Sequence, residues 1–255
     1  MARAPFSLVV TTLNNAGTLE RCLASAAFAD EIVVLDSGST DATRDIAARH
    51  GARVVVEPFK GYALQKQSAI DKAAHAWVLL LDADEALADR ARDAIERALE
   101  QPAVAGFRLP RRELVFWRFN RRGVRLNTHL RLIDRTRVRM NDVPVHAAPE
   151  TREPTATLAD AEFLHYGEPD IHTKVAKINA YSTGLVEHKR GKRRRFLALR
   201  LVVYPGFFFL RQYVGKRWFL DGWAGFINAV SAAYYVFLKY AKLYEVEKKT
   251  KRKRA

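Results

Sequence analysis

The chain has 255 residues, of which 49% are hydrophobic and 28% charged, and its formal net charge is +15 at pH 7. This balance excludes a disordered chain and predicts one large α/β domain, or a domain with an appendage. The single cysteine, Cys22, excludes an intramolecular disulfide framework and is typical of a reducing compartment. The first apolar run, residues 6–11, is too short for a signal peptide and has the pattern of a strand. The large positive charge requires an anionic partner or surface.

Strand and helix patterns alternate along the first third of the chain. Strands are predicted at residues 6–11, 31–36, 53–57 and 77–82, helices at 18–27, 42–50 and 62–74, and further strands at 106–109 and 130–133. This alternation predicts an α/β fold with a mostly parallel sheet. The loop after the first strand lacks a G-x-G-x-x-G fingerprint, so a nicotinamide or flavin cofactor is not expected. We predict an α/β domain at residues 1–168 and a helical region at residues 169–255.

The strongest local signal is the run Val-Leu-Leu-Leu-Asp-Ala-Asp-Glu at residues 78–85. Its apolar half, preceded by Trp77, predicts a strand buried on both faces of a parallel sheet. Asp82 and Asp84 follow at the carboxyl end, where open α/β sheets bind their ligands. Mg²⁺ combines one or two carboxylates with substrate phosphates, so the pair predicts a metal–diphosphate site. The alternative is an ordinary acidic first turn of the next helix.

The second strand also ends in an acid, Asp36, followed by a short polar turn. An acid in this position can accept hydrogen bonds from a ribose or a base, and Gly38 lets the backbone approach a ligand closely. The alternative is that Asp36 and Ser39 only cap the helix that follows. Two acid-terminated strands in one sheet favour a ligand site, with the nucleoside at one acid and its metal-bound diphosphate at the other.

Three segments resemble the signatures of inverting family 2 glycosyltransferases, which have the Rossmann-like GT-A fold. These segments are residues 9–14, 32–41 and 80–85. Other segments are similar to the lipopolysaccharide inner-core β-1,4-glucosyltransferases, namely residues 61–66, Arg131-Leu132, Val145-His146, the Phe-Leu-Asp-Gly-Trp-Ala-Gly-Phe stretch at 219–226, and residues 235–242. The resemblance covers about residues 6–244.

The resemblance implies roles for the residues at the predicted sheet edge. Thr11 and Asp36 would contact the uridine of a UDP-sugar, with Gly38 beside them. Asp82 and Asp84 would hold Mg²⁺ or Mn²⁺ on the UDP diphosphate. The metal would stabilise the negative charge that develops on the leaving UDP.

Two further cationic or metal-binding residues follow from the resemblance. Lys66 would place a positive charge at the phosphates, although its pattern fits a solvated lysine on an amphipathic helix equally well. His165 or His146 would add a late histidine to the metal shell, and we favour His165.

The general base is where this chain departs from the resemblance. Asn127 and Ala147 stand at the two positions where an acid is expected. Asp142 and Glu150 are the nearest remaining carboxylates, and we predict that Asp142 is the base. An inverting transfer needs one base and no covalent intermediate.

The resemblance implies transfer of a sugar, with glucose from UDP-glucose the expected donor, to a lipid-linked saccharide such as the lipopolysaccharide inner core. A polyprenyl phosphate or a capsule intermediate is an alternative acceptor. A different class of function is also compatible with the composition, namely a non-catalytic basic module that binds membranes or nucleic acid.

The C-terminal third combines basic and aromatic segments. Six of seven residues are basic in each of two blocks, 189–195 and 248–254. Between them lie the apolar stretch 201–210, which Pro205-Gly206 is expected to break, and residues 222–238, which carry no charge. This composition favours anionic lipid over nucleic acid as the partner. The uncharged run is marginal for a membrane span, which needs ~20 apolar residues.

We therefore predict a membrane-associating appendage that lies in the plane of the cytoplasmic face of the inner membrane. A buried helical pair and a transmembrane span are the alternatives. No nucleic-acid partner is expected.

Overall fold

The computed structural model describes residues 3–141, 147–167, 170–188 and 196–252. The chain divides into two compact units, one formed by residues 1–112 with 127–167 and the other by residues 113–126 with 168–255. Residues 113–126, which the sequence analysis places in the first domain, thus group with the C-terminal unit. Asp142, His146 and the basic block 189–195 lie outside the described residues.

The strands are β1 (Phe6–Thr12), β2 (Glu31–Asp36), β3 (Arg53–Val56), β4 (Trp77–Asp82), β5 (Glu85–Leu87), β6 (Gly106–Val115), β7 (Arg118–Phe119), β8 (Asn127–Asp134), β9 (Arg139–Met140), β10 (Pro149–Glu150), β11 (Thr155–Thr157) and β12 (Phe163–His165). The helices are α1 (Leu19–Ser25), α2 (Thr43–Arg49), α3 (Tyr62–Asp71), α4 (Ala91–Ala98), α5 (Ile171–His188), α6 (Leu197–Leu210) and α7 (Trp223–Arg252). A π-helical turn at Arg211–Gly215 and a 3-10 turn at Trp218–Asp221 connect α6 to α7.

The first unit contains a mixed sheet in the order β3-β2-β1-β4-β8-β6-β12-β5. The four strands β3, β2, β1 and β4 are parallel, as the alternation of strands and helices predicts. From β4 onward the sheet continues with antiparallel pairs, β4 with β8, β8 with β6, and β12 with β5. The structure therefore confirms the predicted α/β class and adds an antiparallel half.

The central strands are buried on both faces because their apolar runs have no polar alternation. Leu79 and Leu81 of β4 pack on the side of α1, α2 and α4, while Val78 and Leu80 pack on the side of Ile70 in α3. All four side chains are fully buried. Two hydrophobic cores thus cover the two faces of the sheet. Polar side chains can be accommodated where the parallel strands end, at their carboxyl edge.

The second unit contains β7, which pairs with Leu114 and Val115, and the helices α5, α6 and α7. Pro205 does not break the apolar stretch as predicted but lies inside α6. An interior proline removes one helical hydrogen bond at a cost of about 3 kcal/mol. The packing of Leu197, Leu201 and Phe208 in one cluster with side chains of α7 offsets this loss.

A transmembrane span was the alternative for the uncharged run at residues 222–238. In the described ranges, no helix combines the length and the apolar character that crossing a membrane requires.

Candidate active site

The carboxyl ends of three parallel strands bring the predicted nucleotide residues to one edge. Strand β1 lies between β2 and β4, with Thr12 paired to Asp36 on one side and Thr11 paired to Asp82 on the other. Since neighbouring strands are about 4.8 Å apart, the two acids are separated by about 10 Å of strand spacing. The strand pattern predicted this shared edge.

Asp36 is fully buried and uses both carboxylate oxygens within its own turn. Its Oδ1 accepts hydrogen bonds from the backbone N–H groups of Gly38 (3.0 Å) and Ser39 (2.8 Å), and its Oδ2 accepts one from the Ser39 hydroxyl. Gly38 has φ +98°, a conformation that favours glycine. These contacts close the turn itself and do not cap α2, whose N-cap is Ala42 and makes no side-chain cap hydrogen bond, so the helix-capping alternative is wrong. Nucleoside binding by Asp36 stays a prediction.

Asp82 lies between two cationic side chains. Lys66 Nζ forms an ion pair with its Oδ1, and Arg131 Nη2 lies 3.3 Å from its Oδ2. Burial raises the pKa of Asp82, but the charges of Lys66 and Arg131 outweigh it and hold that pKa well below its usual range. Only 12% of the Lys66 side chain is exposed, so Lys66 is not the solvated lysine of the alternative interpretation.

Arg131 and Glu85 extend this cluster into the core. Arg131 Nη2 lies 2.5 Å from Glu85 Oε1, and Glu85 Oε2 accepts the backbone N–H of Asp82 at 2.9 Å. Burial and the nearby Asp82 carboxylate raise the pKa of Glu85 to about 7, against the opposing charge of Arg131. Arg131 is itself buried, and its Nε has no hydrogen-bond partner among the residues that the structure describes.

Glu85 and Arg131 have no role among the predictions from the sequence. A signal was present, because Arg131 is a charged residue between Leu130 and Leu132 in a strand with an otherwise apolar run. A buried arginine requires a carboxylate partner. The pairing of β8 with β4, which supplies that partner, could not be predicted from the local pattern.

Asp84 and His165 form a second, more accessible pair. His165 Nε2 lies 3.4 Å from Asp84 Oδ2, and the two side chains are 22% and 34% exposed. Strand β12 brings them together, because His165 pairs with Glu85 of β5 and the backbone N–H of Tyr166 donates to the Asp84 carbonyl (2.9 Å). A Cβ at position 167 would come within 2.5 Å of the His165 ring, so glycine at this position leaves room for the imidazole.

The pair fits a divalent cation in spacing and chemistry. Two ligands about 2.1 Å from one cation are typically about 3 Å apart, close to the observed separation of Asp84 and His165. Carboxylate and imidazole are both suitable ligands for Mn²⁺, and Mg²⁺ takes the carboxylate with phosphate oxygens and water. Asp82, the third predicted ligand, instead faces its two cations. Over the described residues, no three His, Cys, Asp or Glu side chains converge as a metal cluster.

Comparison with known sequences gives the family of this chain. Residues 7–151 match the model of glycosyl transferase family 2. The chain is 32% identical over 253 residues to the lipopolysaccharide core biosynthesis glycosyltransferase LpsC of Rhizobium meliloti, which covers 95% of this chain and 93% of that protein. It is 30% identical over 256 residues to an uncharacterized glycosyltransferase of Rickettsia bellii, with 94% and 86% covered.

Comparison with solved structures supports the fold. Residues 1–349 of S. aureus TarS, determined in complex with UDP-GlcNAc, superpose with a TM-score of 0.52 at 14% identity and cover 93% of this chain and 92% of that one. The mannosyltransferase PcManGT of Pyrobaculum calidifontis, in complex with GDP-Man and Mn²⁺, gives a TM-score of 0.54 at 15% identity, with 94% and 87% covered. The chain belongs to glycosyl transferase family 2 and is a glycosyltransferase with the GT-A fold.

Proposed function

We propose that this protein is a metal-dependent, inverting glycosyltransferase that transfers glucose from UDP-glucose to a lipid-linked saccharide of the lipopolysaccharide inner core. The observation that carries the proposal is the Asp84–His165 pair beside the charged cluster at the sheet edge. The printed role of LpsC in lipopolysaccharide core biosynthesis supports the acceptor class. The nucleotide sugars bound by the two structural neighbours support the donor class.

The geometry suggests how charge is managed during transfer. Breaking the sugar–phosphate bond leaves negative charge on the nucleotide diphosphate, and a divalent cation held by Asp84 and His165 would supply Lewis-acid stabilisation of that charge. Lys66 and Arg131 add two positive charges that Asp82 and Glu85 hold in place before substrate binds. Because these charges are already in position, they stabilise the transition state without a free-energy cost for reorienting side chains during the reaction.

Inversion requires a base that removes the proton of the acceptor hydroxyl while the sugar is attacked from the opposite face. Asp142 is our candidate for that base. It lies outside the described residues, so its assignment rests on the sequence alone. Asn127, which stands at one position where an acid is expected, is exposed at the start of β8 and cannot act as a carboxylate base.

Two alternatives concern the acceptor rather than the chemistry. A polyprenyl phosphate or a capsule intermediate would use the same donor site, so a panel of acceptors distinguishes them. Membership of a glycosyltransferase family argues against the non-catalytic alternative. We also propose that the enzyme acts at the cytoplasmic face of the inner membrane, since UDP-sugars and a reduced cysteine are typical of that compartment.

The decisive experiment measures transfer from UDP-glucose, UDP-galactose, UDP-GlcNAc and GDP-mannose to truncated lipopolysaccharide cores. We expect UDP-glucose to be the preferred donor, EDTA to abolish turnover, and Mn²⁺ or Mg²⁺ to restore it. Asp84→Asn should lower kcat by about 10²-fold or more without unfolding the protein, because the metal pair loses its charge.

The matched control is Asp93→Asn, which removes an exposed carboxylate of α4. We expect wild-type turnover from this variant. Near-wild-type turnover of Asp84→Asn, or activity insensitive to EDTA, would contradict the metal assignment. Exclusive use of a polyprenyl phosphate would contradict the acceptor assignment and leave the donor site intact.

A further inference from the structure

Helix α6 has an inner apolar face that is already satisfied by packing. Leu197 is buried, and Leu201 and Phe208 pack with it in a cluster that includes Val236 and Tyr240 of α7. The ring of Tyr204 meets the ring of Tyr240 edge-on, with centroids 5.4 Å apart. The inner face of α6 therefore packs on α7, and the opposite face takes no part in this contact.

The outer face of α6 is also apolar, and it is exposed. The side chains on it are Leu199, Val202, Val203, Phe207 and Leu210, and each is exposed, with Val202 at 77%. At about 100° per residue these positions span an arc of about 140° on the helix surface. No charged residue lies among them. A helix that is apolar all round normally has no exposed face, so this stripe requires a covering environment.

Helix α7 presents a second stripe of the same kind. Its members are Trp223, Phe226, Val230, Tyr234 and Phe237, all exposed, with Trp223 at 76%. They fall within an arc of about 80°. Aromatic rings connect the two stripes. Phe209 lies about 20° around α6 from Val202 of the first stripe. Its ring and that of Tyr213 contact the Phe226 ring of the second stripe, each with centroids 5.9 Å away. The second unit thus carries one continuous apolar surface, which we call the α6–α7 surface.

Basic residues flank the α6–α7 surface. The guanidinium groups of Arg200 and Arg211 lie over the rings of Tyr204 and Phe208, at 5.8 and 5.6 Å from the centroids. In sequence, the basic block 189–195 precedes α6 directly, and Lys216-Arg217 follow it. An uncharged aromatic surface flanked by cations is complementary to an anionic bilayer, where apolar side chains enter the acyl boundary and cations meet the headgroups.

We propose that the α6–α7 surface inserts into the interfacial layer of an anionic phospholipid bilayer, with α6 parallel to the membrane plane. The inference goes beyond the proposed chemistry, because it assigns a lipid-binding face to the unit that does not contain the sheet edge. Lipid is favoured over a second protein copy because arginines flank the stripe while no acidic residue lies on it, so a like surface would bring cations together.

The test measures binding of the full-length protein to vesicles of phosphatidylcholine with and without phosphatidylglycerol. We expect binding to the anionic vesicles that high salt releases only in part, because the apolar contribution does not depend on salt. Val202→Asp should lower the partition coefficient about tenfold or more, since a carboxylate would enter the acyl boundary. Trp223 fluorescence should shift to the blue and be quenched by brominated lipid, and Trp223→Phe should remove that signal.

The control is Val175→Asp, the same substitution at an exposed valine on α5 of the same unit. It should bind vesicles like the wild type, and both variants should melt at the wild-type temperature because both side chains are exposed. Equal partitioning of Val202→Asp and wild type would overturn the proposal. So would a stable dimer that Val202→Asp dissociates, or tight RNA binding with a steep salt slope by a protein that ignores vesicles.

Transfer to a detergent-dispersed acceptor, measured in parallel, separates this inference from the proposed function. We expect Val202→Asp to retain that activity. If the wild-type protein transfers sugar but does not bind vesicles, the proposed function stands and the lipid-binding inference fails. If it binds vesicles but transfers no sugar, the lipid-binding inference stands and the proposed function fails.

Discussion

Replacing Arg131 by methionine tests whether the buried charge cluster stabilises the sheet edge. Methionine keeps much of the side-chain volume but leaves Glu85 without its ion-pair partner and Asp82 with Lys66 alone. Removing one member of a buried ion pair typically costs about 3–5 kcal/mol. Because burial already raises the pKa of Glu85 to about 7, the orphaned carboxyl takes up a proton readily, and we expect about 3 kcal/mol. This corresponds to a fall in Tm of about 6–12 °C for a chain of this size.

Urea unfolding followed by tryptophan fluorescence measures the loss, with Glu85→Gln and the double variant completing a cycle. We expect Glu85→Gln to cost less than Arg131→Met, and the two effects to be non-additive by about 1 kcal/mol or more because the residues share one contact. Arg139→Met is the control, since Arg139 forms an exposed ion pair with Asp71 and should cost under about 0.5 kcal/mol. A loss under about 1 kcal/mol for Arg131→Met would refute the role of the cluster.

Two other substitutions test tight contacts. Asp36→Ala removes the acceptor of three hydrogen bonds, so we expect about 2–3 kcal/mol of destabilisation and weaker UDP binding by calorimetry. Unchanged UDP affinity would restrict Asp36 to its turn. Gly225→Ala would place a Cβ 1.9 Å from the Trp218 carbonyl oxygen, so we expect a loss of about 3 kcal/mol or more in thermal unfolding. Gly184→Ala, where no described atom outside the helix's own backbone lies within 4 Å of the added Cβ, should be neutral or stabilising.

The parallel half of the fold could be predicted because its information is local. Strands β2 and β4 have the predicted bounds, since each is a continuous apolar run that ends in an acid. Their parallel order then places Asp36 and Asp82 at one edge without further knowledge. The shared edge was therefore predicted, but the ion pairs of Asp82 with Lys66 and Arg131 were not.

Strands were correctly predicted at residues 106–109 and 130–133, but their antiparallel pairing was not, because pairing across the sheet is not local information. Strands β5 and β12 have three residues each, too few to show a period, and only their pairing brings His165 to Asp84. Helix α6 illustrates a second limit. An all-round apolar sequence does not distinguish the face that packs on α7 from the face that is exposed, so the position of Val202 had to come from the structure.

Asp221 gives a physical role to the Phe-Leu-Asp-Gly-Trp stretch that carried much of the resemblance. Its carboxylate is buried in the second unit, where Oδ1 accepts the backbone N–H of Arg121 (2.6 Å) and Oδ2 accepts Asn120 Nδ2 (2.7 Å). The Asn120 side-chain oxygen in turn accepts the backbone N–H of Glu113 (3.0 Å). One carboxylate therefore fixes both ends of the turn that connects β6 to residues 120–126.

We predict that Asp221→Asn opens this turn. Asparagine has one acceptor oxygen where aspartate has two, so its amide N–H group faces a hydrogen-bond donor. One charge-assisted hydrogen bond is lost and that buried donor is left without an acceptor, at a cost of about 2–3 kcal/mol. Hydrogen exchange of residues 113–126 should then accelerate by about 30- to 150-fold if the opening is local. Glu245→Gln, which removes an exposed carboxylate of α7, is the control and should leave that exchange unchanged. Slow exchange in Asp221→Asn would mean that backbone pairing alone holds the turn, and that Asp221 has another reason to be buried.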